Sequence, residues 1–212
     1  LTLPAASATG ESIGFLSALF SSTSAVCVTG LSVVELGASL SLFGQLVMLV
    51  LIQLGGIGFM TATSMVYMLI GRRITLKDRI VIKDSLNETN LQGVVRMTRN
   101  VLIVTAVAEA AGILLLSIRF VPEYGVLRGL YYSVFHSISS FCNAGFDLCG
   151  ISSPFASLTG YQSDPLVLVT VAMLITVGGL GFIVWENFLN IRKVRKLSLH
   201  TKAVLLTSAA SF

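Results

Sequence analysis

The sequence predicts an all-α integral membrane protein in which helical units repeat along the chain and include half-helices that enter the bilayer and turn back. Composition, span length and an internal repeat support this prediction. Of the 212 residues, 54% are hydrophobic and 11% are charged, whereas about 25% of the residues in a soluble domain are charged. The mean hydropathy is +0.88. These values exclude an ordinary soluble domain.

Three apolar segments are long enough to cross a bilayer, which requires about 20 mostly apolar residues. The apolar runs 42–70 and 166–185 contain no charged residue, and the run 101–118 contains only Glu109. We therefore expect helices at 42–70, 99–119 and 165–191. Residues 1–12 lack the pattern of a signal peptide and are expected to form an external loop.

A hydroxyl-rich stretch occurs twice in the chain. Residues 20–30 and 135–145 align at a separation of 115 positions and share Phe, two Ser, Cys and Gly. A glycine cluster also recurs, at 55–58 and 178–181, and each cluster precedes a basic segment. Three matched blocks in the same order indicate an internal repeat. Because both copies run in the same direction, the repeat predicts pseudo-symmetry about the membrane normal.

Each hydroxyl-rich stretch has the pattern expected of a re-entrant loop. An apolar helix leads into small hydroxyl residues and then to a glycine, Gly30 in the first copy and Gly145 in the second. Non-helical backbone persists at membrane depth only where it lines a wet cavity or is buried in protein. Rings of backbone carbonyls can replace the hydration shell of a potassium ion. The pattern predicts pore helices at 13–24 and 127–140, each followed by an extended segment whose carbonyls face an ion path.

The basic residues predict the orientation. Segments 71–99 and 192–202 contain twelve of the fourteen Lys and Arg residues. The positive-inside rule places both segments in the cytoplasm, so the hydroxyl-rich loops face outward in a multi-pass protein of the plasma membrane. The negative end of each pore-helix dipole then favours a cation at the centre. The net charge of +4 does not indicate nucleic-acid binding, because the basic residues lie beside the spans.

These elements divide the chain into repeated helix–pore loop–helix units. The predicted boundaries are a first unit at 1–98 (pore helix 13–24, inner helix 42–70, basic segment 71–98), a second unit at 99–202 (outer helix 99–119, pore helix 127–140, inner helix 165–191, basic segment 192–202) and the start of a third at 203–212.

Four motifs in combination resemble the membrane subunit of the Ktr/Trk/HKT potassium transporter superfamily, closest to the KtrB type. They are Thr-Ser-Ala-Val-Cys-Val-Thr-Gly-Leu at 23–31, Leu-Gly-Gly-Ile-Gly-Phe-Met-Thr at 54–61, Asn-Ala-Gly-Phe-Asp at 143–147 and Arg-Lys-Leu-Ser-Leu-His-Thr-Lys at 195–202. The resemblance covers most of the chain. It implies channel-like potassium uptake through one pore surrounded by four fused units. The implied transported ion is K⁺, with Na⁺ as an alternative, and no cofactor or enzymatic activity is implied.

The resemblance also implies the ion-binding residues. Backbone carbonyls of two selectivity-filter segments would bind potassium, at Val26, Cys27, Val28, Thr29, Gly30, Cys142, Asn143, Ala144 and Gly145. A glycine in each filter coordinates potassium in the family, and the presence of Gly30 and Gly145 favours potassium over sodium. Cys142 departs from the family pattern, which has Asn at this position, so the side-chain support of the second filter differs.

The chain departs from the family in extent as well. By resemblance it lacks the outer helix of the first unit and almost all of the third and fourth units. Because two filter segments cannot surround an ion as four do, we interpret the chain as a fragment of a longer subunit. The gating loop of the family belongs to the third unit, so the sequence assigns no gating element.

Several residues within the spans have alternative interpretations. The glycine clusters either make the inner helices flexible or let helices pack closely in lipid. Glu109 is an ionisable residue in a span and hence a functional candidate; it either takes part in the pore or forms a buried hydrogen bond with a neighbouring unit. His136 is expected to pack within its helix. The cysteines are expected to be free thiols rather than a local bridge between Cys142 and Cys149.

The cytoplasmic basic segments are candidate contact surfaces. Anionic lipids attract Lys and Arg near the bilayer, while the resemblance implies a cytoplasmic ring of nucleotide-binding regulatory subunits and a homodimer of the complete subunit. The residues concerned are Arg72, Arg73, Lys77, Arg79, Arg192, Lys193, Arg195 and Lys196.

The alternative to potassium uptake is a non-conducting membrane scaffold or receptor anchor. Duplicated half-helices argue against an anchor, which needs only spans. An intramembrane enzyme is not indicated, since no His-Glu-x-x-His motif is present and neither histidine has a carboxylate at a useful local spacing.

Overall fold

The computed structural model describes residues 1–58, 94–149, 157–181, 184, 185, 187 and 199–210. The secondary structure of these residues is helical, with no strand among them. One isolated bridge pairs Ser7 with Leu40. The helical fold class predicted from the sequence is therefore confirmed for this part of the chain.

Helices of very different lengths follow one another along the described part of the chain. In order, they are α1 Phe15–Val26, α2 Leu36–Ser39, α3 Leu42–Ile57, α4 Val94–Tyr124, α5 Val126–Phe141, α6 Pro165–Gly179 and α7 Leu199–Ala210, with short 3₁₀ helices at Pro4–Ala6 and Ser157–Tyr161. Within α4, Thr98–Tyr124 is long and apolar enough to span a bilayer, and α1, α3 and α6 are shorter apolar helices.

Both predicted inner helices, 42–70 and 165–191, contain a break. Helix α3 ends at Ile57 and α6 at Gly179, and residues 184, 185 and 187 are again helical. Residues 59–70, 182, 183, 186 and 188–191 lie outside the described residues. Gly58 and Gly181 follow with φ of 84° and 82°, a left-handed conformation that glycine adopts at little cost and that stops a helix. The recurring glycine clusters thus mark two equivalent helix ends.

Helix α4 is longer than the predicted outer helix 99–119. Pro122, which lies beyond the predicted helix, is inside α4. Aromatic rings pack near this end of the helix. The fully buried ring of Phe120 lies 5.3 Å from the ring of Tyr161 and 5.4 Å from that of His136. The helix stops only at Gly125, with φ of 80°.

The chain divides into two compact units. One comprises Leu1–Gly56 and Ala108–Ile175, and the other comprises Ile57–Val107 and Thr176–Phe212. Buried residues of the first unit include Ala25, Met48, Ile52, Leu116, Phe120, Phe135, Ala144, Leu148 and Val167. The predicted pore-loop units at 1–98, 99–202 and 203–212 stay a prediction.

The second unit has its own polar contacts. Asn187 Nδ2 donates to Thr201 Oγ1 at 2.7 Å, and Trp185 Nε1 donates to the Val177 carbonyl at 3.1 Å. Because Thr201 is fully buried, its pairing with Asn187 removes the cost of an unsatisfied polar group.

In the first unit, a carboxylate joins the end of α4 to the start of α6. Arg119 Nε donates to Asp164 Oδ2 at 2.6 Å, and the other oxygen of Asp164 accepts the N–H groups of Leu166 and Val167 at 3.1 and 3.3 Å. Asp164 therefore caps α6. Burial alone would raise the pKa of the Asp164 carboxyl, but the hydrogen bonds from Arg119 and the two N–H groups hold it below its usual range.

Replacing Asp164 tests this cap. We expect Asp164→Ala to lower the melting temperature of the detergent-solubilised protein more than Asp164→Asn, because Asn still caps the helix. Since the folded pKa of Asp164 is lowered, the stability from its carboxylate is present at neutral pH and is lost as the pH falls through that pKa. The Asn variant should lack this acid-dependent loss. Equal melting temperatures for the two variants would contradict a capping role.

Candidate functional site

The two candidate filter segments begin in the same way, at the C-terminal ends of α1 and α5. Cys27 and Cys142 cap these helices, with φ and ψ of −80° and −3° in the first and −74° and −3° in the second. The N–H of Cys27 donates to the Thr23 carbonyl at 2.8 Å, and that of Cys142 donates to the Ile138 carbonyl at 2.9 Å. The next two N–H groups follow the same pattern. Those of Val28 and Asn143 donate to the carbonyls of Ala25 and Ser140, and those of Thr29 and Ala144 donate to the carbonyls of Ser24 and Ser139.

The backbone then takes an unusual conformation at equivalent positions. The angle φ is 55° at Val28 and 57° at Asn143, and it is 76° at Gly30 and 71° at Gly145. Positive φ is uncommon for residues other than glycine, and for a β-branched valine it is an outlier. Such strain persists only where the surroundings impose it. We call residues 27–30 and 142–145 the first and second turns.

The turns are not parts of continuous helices. The α-helix ends at Val26 in the first copy and at Phe141 in the second. Val26, which the sequence analysis placed in the first filter, is thus the last residue of α1. The repeat in sequence therefore corresponds to a repeat in backbone geometry.

The two turns touch each other. A Cβ atom added to Gly30 would lie 2.7 Å from the Ala144 carbonyl oxygen, and one added to Gly145 would lie 3.6 Å from the Gly30 Cα. Both glycines line one cavity of about 260 Å³, which is also lined by the acidic residues Glu35 and Asp147. Backbone from both turns and two carboxyl-bearing side chains thus adjoin one space.

Equivalent serines support the turns. Ser24 Oγ lies 2.7 Å from Thr29 Oγ1 in the first turn, and Ser139 Oγ donates to the Phe146 carbonyl at 2.6 Å beyond the second. Both serines are buried. They were part of the repeated stretch, but their supporting role was not predicted.

Helix α3 lies against both turns through two adjacent glycines. A Cβ atom on Gly55 would lie 2.2 Å from the Val26 carbonyl oxygen, and one on Gly56 would lie 2.3 Å from Cys142 Sγ. Contacts below 3.0 Å leave no room for a side chain. Of the two interpretations of this glycine cluster, close packing is therefore observed at Gly55 and Gly56.

Comparison with known proteins identifies the family. Residues 1–207 match the TrkH family of cation transport proteins. The chain belongs to this family. The resemblance noted in the sequence is confirmed, and the family is one of membrane transporters rather than enzymes.

Individual relatives of the TrkH chain are bacterial uptake proteins. The potassium/sodium uptake protein NtpJ of Enterococcus hirae is 41% identical over 209 residues, which cover 99% of this chain and 45% of that protein. The Ktr system potassium uptake protein B of Bacillus subtilis is 39% identical over 93% of this chain and 43% of that protein, and its namesake in Vibrio alginolyticus is 39% identical over 98% and 45%. The TrkH chain thus spans less than half the length of these relatives.

Glu109 belongs to a polar network behind the second turn of the TrkH chain. Its Oε1 accepts a hydrogen bond from Gln53 Nε2 at 2.9 Å, and its backbone carbonyl accepts one from Ser137 Oγ at 2.8 Å. The thiol of Cys142 donates to Gln53 Oε1 at 3.8 Å. Of the two interpretations of Glu109, the geometry favours the partly buried hydrogen bond. The partner, Gln53, could have been suspected as a polar residue in an uncharged span.

The remaining candidate residues of the TrkH chain fall into two groups. Cys27, Cys142 and Cys149 are free thiols, as expected. The basic residues proposed for lipid or subunit contacts lie outside the described residues: Arg72, Arg73, Lys77, Arg79, Arg192, Lys193, Arg195 and Lys196.

Residues 10–14 read Gly-x-Ser-x-Gly, but Ser12 lies in exposed coil instead of at the strand-to-helix turn of a nucleophile elbow.

Adding a methyl group at Gly56 tests the packing of α3. We expect Gly56→Ala to destabilise the protein by about 1–3 kcal/mol, as overpacking of a filled site usually does. Gly160→Ala is the matched control, because a Cβ there meets no atom within 4 Å. Thermal unfolding of both variants measures the difference. A Gly56→Ala variant as stable as Gly160→Ala would refute the close contact.

Substitution of Glu109 distinguishes a role in the pore from a structural hydrogen bond. We expect Glu109→Gln to leave the stability and the ion flux of the complete subunit close to wild type, because an amide oxygen can still accept from Gln53. Glu109→Ala should cost about 1–3 kcal/mol in stability, since it leaves the Gln53 amide unsatisfied. Ion-flux kinetics and thermal unfolding are measured in parallel. Loss of uptake in a Glu109→Gln protein of unchanged stability would instead indicate a role in the pore.

Proposed function

We propose that this chain contributes two pore-loop units to a potassium uptake subunit and that ions cross through a channel-like path lined by backbone carbonyls. The observation that carries the proposal is the pair of matched turns meeting at Gly30 and Gly145 beside a shared cavity. The units are pseudo-symmetric about the membrane normal, and each turn is a filter segment. Further units complete the ring around the ion.

The hydrogen bonding of the turns supports carbonyl coordination. The N–H groups of Val28 and Thr29 donate back to α1 carbonyls, and those of Asn143 and Ala144 donate back to α5 carbonyls. The described peptide bonds are trans, so the carbonyl of each peptide points opposite to its N–H. The carbonyls at positions 27, 28, 142 and 143 therefore point away from the helices that hold the turns. Such oxygens suit a dehydrated K⁺ ion.

Electrostatics favour a cation at the same place. Helices α1 and α5 both end at the turns, and the C-terminal end of a helix carries a partial negative charge of about half an elementary charge. Glu35 and Asp147 line the cavity shared by the turns. Carboxylates at the mouth of a pore raise the local cation concentration. Potassium is the proposed substrate, and sodium is the alternative.

The proposed setting is the plasma membrane, with the turns external and the basic segments cytoplasmic. The Ktr system proteins among the relatives are named as components of a system, which supports partner subunits. We propose a homodimer of the complete subunit, a cytoplasmic ring of nucleotide-binding regulatory subunits, and lipid contacts at the basic segments. Nucleic acid is not a proposed partner.

Growth at limiting potassium tests the function. The complete subunit, with its regulatory partner, should restore growth of a bacterial strain that lacks its own potassium uptake systems. It should also accumulate potassium in a direct flux assay. A membrane-inserted, stable protein that gives neither result would support the alternative, a non-conducting scaffold or receptor anchor.

The two filter glycines provide a sharper test. We expect Gly30→Ser to lower the potassium-to-sodium flux ratio, because its Cβ would lie 2.7 Å from the Ala144 oxygen at a positive φ. Gly145→Ser is the matched comparison. It shares the backbone strain, but its Cβ would make an ordinary contact of 3.6 Å with Gly30, so its effect should be smaller. Wild-type flux ratios in Gly30→Ser would contradict the filter assignment.

A further inference from the structure

Three side chains with metal-binding atoms converge beside the second turn. They are His136 of α5, and Asp147 and Cys149 of the loop that follows. Their ligand atoms all lie within 4.8 Å of one another. His136 is buried, with 2% of its surface exposed, whereas Asp147 and Cys149 are partly exposed. None of the three belongs to the turns assigned to potassium.

The imidazole of His136 is oriented as a ligand. Its Nδ1 lies 2.7 Å from the Tyr132 carbonyl oxygen. Because a carbonyl can only accept, Nδ1 carries the proton, and Nε2 of the neutral ring presents a lone pair. Nε2 lies 3.5 Å from Cys149 Sγ and receives a long contact of 3.4 Å from the Leu148 N–H. Histidines that bind metals are usually held in this way by a carbonyl or carboxylate on the other nitrogen.

The separation between His136 and Cys149 matches that of two ligands in a tetrahedral zinc site. Zinc binds histidine nitrogen at about 2.0–2.1 Å and cysteine sulfur at about 2.3 Å, which places the two ligand atoms roughly 3.5 Å apart. The observed distance between His136 Nε2 and Cys149 Sγ is 3.5 Å. Asp147 Oδ1 accepts the Cys149 N–H at 2.9 Å. This hydrogen bond fixes the carboxylate and leaves lone pairs on both oxygens for a metal.

We propose that His136, Asp147 and Cys149 bind a divalent metal ion of the zinc type, with water as the fourth ligand. Imidazole, thiolate and carboxylate together suit Zn²⁺, whereas hard cations such as Mg²⁺ and Ca²⁺ prefer oxygen ligands. Binding changes no oxidation state: the Cys149 thiol releases its proton to solvent, and its sulfur forms a bond to the metal. A cavity of about 310 Å³, lined by His136, Asp147 and Gly145, adjoins the site.

The proposed metal site lies next to the cavity that the two turns share. Asp147 lines the cavity that Gly30 and Gly145 share, and it also supplies a ligand. A bound dication would therefore neutralise this carboxylate beside the second turn. The site goes beyond the proposed transport function, because binding needs only the three side chains and can be measured without ion flux.

Cobalt binding to the purified complete subunit tests the proposal. Co²⁺ substitutes for zinc and gives a sulfur-to-cobalt charge-transfer band when a thiolate is a ligand. We expect this band in the wild-type protein and its loss in Cys149→Ser. Asp147→Asn should weaken Co²⁺ affinity by at least roughly 10–100-fold, because loss of a mere hydrogen-bond partner of a ligand already has an effect of this size. The buried His136 is left unchanged, so that the test does not depend on a variant that fails to fold.

The matched control is Cys27→Ser, because Cys27 is the exposed thiol. It should keep the band and the wild-type affinity. Absence of the band in the wild type would overturn the proposal, as would a band that survives in Cys149→Ser. Size-exclusion chromatography of each variant verifies that the protein is folded. A subunit that carries no potassium still gives a valid result, so failure of the transport function is distinguishable from failure of the site.

Discussion

Two adjacent glycines bring the backbone of α3 against both turns. Gly55 lies against the carbonyl end of α1, and Gly56 lies against Cys142 at the end of α5. A side chain at either position would occupy space now filled by turn atoms. About one helical turn away, Gln53 adds hydrogen bonds to Glu109 and Cys142. Helix α3 thereby sets the distance between the two turns, and the shared cavity depends on that distance.

In the proposed pore, the turns would meet a general requirement for irregular backbone in a membrane. An unpaired N–H or carbonyl in lipid costs several kcal/mol, so such backbone must be paired or lie in a wet cavity. In both turns the first three N–H groups pair with helix carbonyls, so the carbonyls that share those peptides point away from the helices. Donors that face inward and acceptors that face outward are what the proposed cation path requires.

The sequence predicted those features of the structure that depend on residues close together in the chain. The repeated serines and glycines located both turns, and apolar runs located the helices that precede them. Helix ends were less predictable: α1 extended to Val26, and α4 continued through Pro122 to Tyr124. Contacts between residues far apart in the chain could not be predicted from a single sequence. Gln53 and Glu109 are 56 residues apart, and only folding brings their side chains together.

The contact of one helix with two turns also limits how the sequence can change over evolutionary time. A larger residue at Gly55 would displace the end of the first copy, and one at Gly56 would displace the end of the second, so the two positions are constrained by different halves of the repeat. The two copies are therefore free to diverge on their outer surfaces but not where they share this helix. Helix α3 follows the first copy along the chain, yet its sequence is constrained by contacts with both copies.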